Sequence, residues 1–308
     1  MVGYVALTLV MMFVWWDQLV NPVGMLVGRA EAVATTLVLW GIYRWRPCRL
    51  TMLIRMAGLM AWLGWWYPDT YELNRVLPNL DHLFAQAEQS LFGCQPALVL
   101  LQRFPQPLVS ELLSLGYVSY YTLIITLVFF YFFRRYERFT YAVYVVMASF
   151  FIFYVVFDLL PVAGPQFYYE AVGCDLIAQG YFPDLGHYFR THQESLPIPG
   201  WKDGPFYHLL VIAHDAGERP TAAFPSSHVG VTVVLLWLAW EARSRRLFWV
   251  MILPEDSLWT WMLSPTARAC WTTAAFSIAV PFFNSPLKTT AESTLKVTVT
   301  VLVTQPSR

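Results

Sequence analysis

The chain has 308 residues, 57% hydrophobic and only 13% charged, with 20 basic side chains balancing 20 acidic ones and a mean hydropathy of +0.48. A soluble globular domain carries about 25% charged residues, so this composition excludes an ordinary soluble protein and points to one held in a lipid bilayer. The charge balance leaves no basic excess for nucleic acid, and Cys48, Cys94, Cys174 and Cys270 have no metal-type CxxC spacing.

The apolar runs give the predicted elements. The first, 3–20, lacks a basic n-region and a small-residue cleavage site, so it reads as a retained span and not a signal peptide. A second run at 23–43 is interrupted by Arg29 and Glu31 near its start. The third, 50–67, has Arg55 near its basic end, where the side chain can snorkel. Trp62, Trp65, Trp66 and Tyr67 form an aromatic belt at its other end. Leu80, Leu83, Phe84, Ala87 and Leu91 recur at helical spacing with Asp81, Glu88 and Gln89 between them, which predicts an amphipathic helix on the membrane surface. Residues 97–101 are too short to cross. Spans follow at 111–133 and 139–160, the latter with Asp158 near its far end and Pro161, Gly164 and Pro165 beyond it as breakers. The long polar segment 162–225 encloses one apolar patch at 206–213, and a last span occupies 227–240.

These runs predict an all-α fold: a polytopic membrane helical bundle of about six spans with one amphipathic extramembrane helix. The arginine clusters at 44–49, 134–138 and 243–246 follow the second, fourth and sixth spans, which puts them on one side, cytoplasmic by the Lys/Arg bias. Segments 68–110 and 162–225 and the His228 end of the last span then share the opposite, non-cytoplasmic side.

The densest chemistry lies in residues 214–230, HDAGERPTAAFPSSHVG, immediately before an apolar run. Arg219 offers a planar fork of donors suited to phosphate or carboxylate. Ser226 or Ser227 can cap the helix that follows, and the free N–H groups of a helix start attract an anion. His228, near the first turn, can carry a proton at neutral pH. A plainer reading also fits, with Ser226 only a cap, Arg219 at the membrane interface and His228 a packed polar residue. His208, His214 and His228 are separated by 6 and 14 residues, a spacing that matches no short metal motif, so no metal or other cofactor is assigned.

The ERP triplet followed by PSSHVG resembles the first two signature motifs of the type 2 phosphatidic acid phosphatase and haloperoxidase superfamily. LLPVAGPQFYYE and LDHLFAQAEQSLFGCQPAL are similar to the branch that includes inositol phosphorylceramide synthase-like membrane proteins. The resemblance covers roughly residues 70–253. It implies a six-helix bundle with its active site at the non-cytoplasmic face, and metal-free phosphate transfer through a phosphohistidine. The implied substrate is a membrane lipid phosphate or a polyprenyl pyrophosphate, hydrolysed or passed on as a phospho-headgroup. Arg219 would then bind the phosphate, Ser226 and the Ser227 backbone would hold its oxygens, and His228 would protonate the leaving alkoxide, a role that needs an imidazolium.

The departures are specific. The family's lysine, seven residues before the arginine, is replaced by Ile212. The third motif, which supplies an arginine, the nucleophilic histidine and an aspartate, is not found: no histidine follows His228, and Glu292 is the one acid after Asp256. His214 or His208 is a candidate substitute nucleophile, with Asp215 to orient it, and Asp158 is a candidate for binding a headgroup hydroxyl or pairing with Arg219. Residues 254–308 change abruptly to a Thr-, Ser-, Ala- and Pro-rich texture and read as frameshifted or divergent. The chain therefore divides into N-terminal transmembrane helices (1–67), a phosphatase-like membrane domain (68–253) and an atypical segment (254–308). Two function classes stand: a lipid-phosphate enzyme, or a catalytically inactive lipid-phosphate-binding or transport-type membrane protein.

Overall fold

A computed structural model describes residues 1–103, 106–198 and 201–251, without the side chains of 100–103, 215 and 216. The side chain of Asp215, Cys270 and all of 254–308 thus lie outside the described residues. The apolar runs fold as helices: α1 Val2–Val14, α2 Pro22–Trp45, α3 Arg49–Asn74, α4 Asp81–Phe92, α5 Pro96–Arg103, α6 Pro107–Arg134, α7 Phe139–Leu159, α8 Pro165–Val172, α9 Cys174–Ala178, α10 Pro205–Gly217 and α11 Ser227–Glu241. Proline opens α2, α6, α8 and α10, where its missing N–H costs nothing. The Asn21 side chain caps α2 by accepting from Gly24 N at 2.9 Å.

The all-α class holds, but the expectation of six spans does not. Among the described residues three helical segments are long and apolar enough to cross a membrane: Pro22–Trp45, Pro107–Arg134 and Tyr136–Leu159. The run expected over 3–20 stops as an α-helix at Val14, and Trp16–Gln18 tighten into a 3₁₀ turn at Asp17. Thirteen residues rise only about 20 Å against a hydrocarbon core of roughly 30 Å. α11, with 15 residues, is short for the same reason. α3 has 26 residues and continues through Pro68, yet Arg55 and its tryptophans dilute the apolar stretch, and Arg49, Asp69 and Glu72 sit near its ends. The segment 162–225, expected as a long polar loop, contains α8, α9 and α10. The amphipathic helix forms as α4, but Asp81, assigned to its polar face, is buried with Ala85, while Leu83 and Leu91 are exposed.

α3 lies against α2 and α7; α6 against α7, α10 and α11; and α11 against both α6 and α7. Their core is aromatic and aliphatic, with Trp66, Leu127, Tyr131, Phe157, Val231 and Leu235 fully enclosed. Buried phenols find acceptors on neighbouring helices: Tyr131 Oη donates to Leu238 O at 2.8 Å and Tyr154 Oη to Leu63 O at 3.0 Å.

One ion pair ties the N-terminal helices together. Arg29 of α2 meets Asp69 of α3 through two bonds, Nη1 to Oδ1 at 3.1 Å and Nη2 to Oδ2 at 2.6 Å. Its Nε donates to Thr8 Oγ1 of α1 at 3.1 Å and Nη1 also to Met25 O at 3.0 Å, so the buried guanidinium is well supplied with acceptors. Removing one partner strands a charge, whereas removing both does not. Asp69→Leu should cost about 3–5 kcal/mol of stability, and Arg29→Met/Asp69→Leu should recover most of it, read as thermal unfolding in detergent. Equal losses in the single and double variants would show that the pair is not the connection.

Candidate functional site

The loop that carries the candidate residues is suspended from the segment after α7. Asp81, at the first turn of α4, accepts the main-chain N–H of Ala163 at 2.7 Å through Oδ2 and that of Gly164 at 2.7 Å through Oδ1. Leu80 N also donates to Pro161 O at 3.0 Å, and Ala223 N then donates to Val162 O at 3.1 Å. Gly164 has φ +93, and a Cβ there would come within 2.7 Å of the Ala223 Cβ, so this close approach requires glycine. A second tether runs through Asn74 of α3, whose amide donates to Phe157 O at 3.0 Å and to Thr221 Oγ1. Ala222, between the two tethered residues, is held at φ +64, a left-handed conformation that costs a non-glycine residue about 1–2 kcal/mol.

α10 is set against α6 by Glu111, which accepts from Phe206 N and Tyr207 N at 3.0 Å each at the start of α10. This delivers His214 and Glu218 at the far end of α10. The Glu218 carboxylate lies 3.3 Å from His214 Nε2 and receives the Gln166 amide from α8. It is also within electrostatic range of the phenols of Tyr67, Tyr117 and Tyr121.

Ser226 caps α11 by accepting from Val229 N at 3.5 Å. Ser227 and His228 occupy the first turn, whose leading N–H groups have no intrahelical partner. His228 is held between phenol rings of α6: its ring centroid is 4.5 Å from Tyr117 in a stacked arrangement and 4.3 Å from Tyr120. On another side of the same turn Gly230 lets α11 approach α7, since a Cβ there would strike the Phe153 ring. The histidine as a whole is half-buried, yet Nε2 is enclosed and has no hydrogen-bond partner among the described residues. Burial pushes the imidazole down to about 4, so the free protein carries it neutral at pH 7. The imidazolium required of a general acid is therefore not the resting form.

Arg219 is half-buried and donates through Nη1 to Glu218 O at 2.9 Å. The rest of its fork has no hydrogen-bond partner among the described residues, and its charge acts on the same Tyr67 as Glu218. Asp158 lies elsewhere. It is fully buried near the end of α7, faces Tyr4 of α1, and has Asp69 and Arg29 as the charges that act on it. His208, His214 and His228 form no metal-holding group among the described residues.

The structure thus brings His214 and Arg219 to Glu218 and seats His228 on Tyr117 and Tyr120; Tyr117, which Glu218 also acts on, is the link between the two groups. In the sequence Glu218 is only the first residue of the ERP triplet and Asp81 only a polar position of the amphipathic helix, and Gln166, Tyr117 and Tyr120 have no assigned role. Tyr117, Tyr120 and Tyr121 carried a signal in their i, i+3, i+4 spacing on one helix face; Gln166, 52 residues from Glu218, carried none.

Because His228 binds a proton more weakly folded than unfolded, its contribution to stability is complete above about pH 6.5 and is lost as pH falls toward about 4. The wild-type melting temperature should fall across that window, and His228→Phe should remove up to about 3 kcal/mol of the stability lost across it. An unchanged slope would mean that the ring is protonated in the fold.

Comparison with known proteins adds one positive finding: the family described as the PAP2 superfamily matches residues 82–282, about two thirds of the chain. No curated protein and no solved structure matches. The matched segment begins one residue after Asp81 and contains the rest of α4, α5 through α11, the Ala163–Gly164 segment that Asp81 holds, and Tyr117, Tyr120, Gln166, His214, Glu218, Arg219 and His228; Asp81 and Tyr67 lie before it. The chain belongs to the PAP2 superfamily.

Proposed function

We propose that this protein is a membrane lipid-phosphate phosphatase or phospho-headgroup transferase acting at the non-cytoplasmic face through a phosphohistidine. The observation that carries the reading is the half-open Arg219 fork in the loop that leads, seven residues on, into the capped, histidine-bearing start of α11, within the segment matched to the superfamily. Arg219 clamps the phosphate, and the N–H groups of Ser227 and His228 with the Ser226 hydroxyl hold its oxygens. His214 is the nucleophile: its imidazole forms the P–N bond as the ester P–O bond breaks. Glu218 orients the ring and stabilises the charge it gains. Asp215 is a further candidate for orienting it. His228 takes up a proton as the anion arrives beside it and passes it to the leaving alkoxide. Water, or the hydroxyl of an acceptor lipid as in an inositol-type transfer, then receives the phosphoryl group. Asp158 serves as a structural group on the α1 side.

Orientation is supported by contacts between the basic clusters. Arg49 stands 4.6 Å over the Tyr136 ring and Arg138 pairs with Glu241 at 2.6 Å. The three arginine-rich turns thus meet at the opposite end of α11 from His228, and the Lys/Arg bias makes that end cytoplasmic.

A second reading, binding of lipid phosphate without turnover, is favoured by the absence of any histidine after His228. Residues 254–308 are proposed to be a frameshifted or divergent replacement; an Arg, His and Asp pattern in another frame beyond codon 253 would support this, and none would count against it.

The test is inorganic phosphate release from phosphatidic acid, diacylglycerol pyrophosphate and undecaprenyl pyrophosphate by the detergent-solubilised protein, with and without an alcohol acceptor. His228→Ala should lower the rate about 10²–10⁴-fold and Arg219→Ala about 10²–10³-fold. His214→Ala should abolish acid-labile phosphate on the protein, and Glu218→Gln should reduce it. Neither release nor transfer by the wild type would establish the second reading, and turnover unaffected by His214→Ala would remove that residue from the mechanism.

A further inference from the structure

At the end of α11 away from His228, about 20 Å along the helix axis, Tyr131 of α6 with the turn 135–138 that follows it, the last turn of α11 and residues 242–249 line a cleft of about 1230 Å³. Four arginines line it, Arg135, Arg138, Arg243 and Arg245, with Trp240 and Trp249 beside them. Two acids also face it, and Glu241 is already paired with Arg138 at 2.6 Å, leaving Glu137 against three other guanidinium groups. Arg135 spends one donor on Ala242 O at 3.2 Å. Arg243 and Arg245 are exposed and make no side-chain hydrogen bond or ion pair among the described residues. The aromatic wall is equally unsatisfied, with Trp240 71% and Trp249 58% exposed.

We propose that this cleft binds the headgroup of an anionic phospholipid, separately from the site at His228. Planar guanidinium forks match phosphate oxygens. Tryptophan rings at the same depth suit the glycerol and first methylenes of the acyl chains. A free soluble anion would leave those rings in water. The backbone points the same way: Arg243 holds φ +53 at the end of α11. Glycine is the default there because it takes that conformation without the steric cost. An arginine in its place puts a guanidinium at the mouth of the cleft at the expense of local strain.

That strain supplies a variant whose folding and binding effects have opposite signs. The full-length detergent-purified protein is titrated with mixed micelles containing phosphatidylglycerol or phosphatidylcholine, with melting temperature as readout. Arg219→Ala should leave the phosphatidylglycerol response unchanged, which separates the cleft from lipid phosphate bound at Arg219. The wild type should gain several degrees from phosphatidylglycerol and little from phosphatidylcholine. Arg243→Gly/Arg245→Gln should melt no lower than the wild type in plain detergent, yet need at least tenfold more phosphatidylglycerol for half the shift. Benzoylphenylalanine replacing Trp249 should photocrosslink to lipid. Equal responses to both lipids, reproduction of the shift by inorganic phosphate, or crosslinks to residues 252–308 or to a second copy would each overturn the proposal. So would an unaltered phosphatidylglycerol response in the double variant.

Discussion

A single buried carboxylate carries the loop geometry of this protein. Asp81 receives two main-chain N–H groups, from Ala163 and Gly164, at 2.7 Å each. Interior N–H groups without a partner are costly, and a carboxylate meets two at once with charge-assisted bonds. The segment it fixes in turn accepts Ala223 N at Val162 O, and that bond places the chain between Arg219 and Ser226. Remove the carboxylate and the candidate site loses its reference point, although Asp81 need touch no substrate.

The helices solve a related problem. A chain in hydrocarbon has to satisfy its polar groups internally. Here buried phenols donate to carbonyls of adjacent helices, and Arg29 meets Asp69, Thr8 and the Met25 carbonyl. The Arg29 bonds join α1, α2 and α3, the Tyr154 bond ties α7 to α3, and the Tyr131 bond ties α6 to α11, which with α10 forms a second group of packed helices. The candidate site belongs to this second group, with Gln166 and Asn74 reaching across to it.

α11 then presents two different environments. Its first turn offers free N–H groups and a histidine pressed between phenol rings; its last turn is surrounded by arginine and tryptophan. Glu218 gives the first environment its character. It accepts the Gln166 amide, stands beside His214 and places negative charge near three phenols, while Arg219 next to it brings positive charge to one of them, Tyr67. A site with both signs can position an imidazole and hold an anion, which a purely basic pocket does less well.

The sequence alone determined the all-α class, the membrane setting and the PSSHVG loop at a helix start, because composition, apolar run length and capping chemistry are local properties. Span number was only partly legible. Run length showed where helices would form, but Asp17 ended α1 early and the polar ends of α3 disqualified a helix that is otherwise long enough. Tertiary structure decided what Arg29, Asp69 and Asp81 do: each reads locally as a polar interruption, and each acquires its meaning from a partner 40 to 83 residues away. It also decided the charge state of His228. Two tyrosines 108 and 111 residues earlier press on the ring and exclude the water that would let it hold a proton.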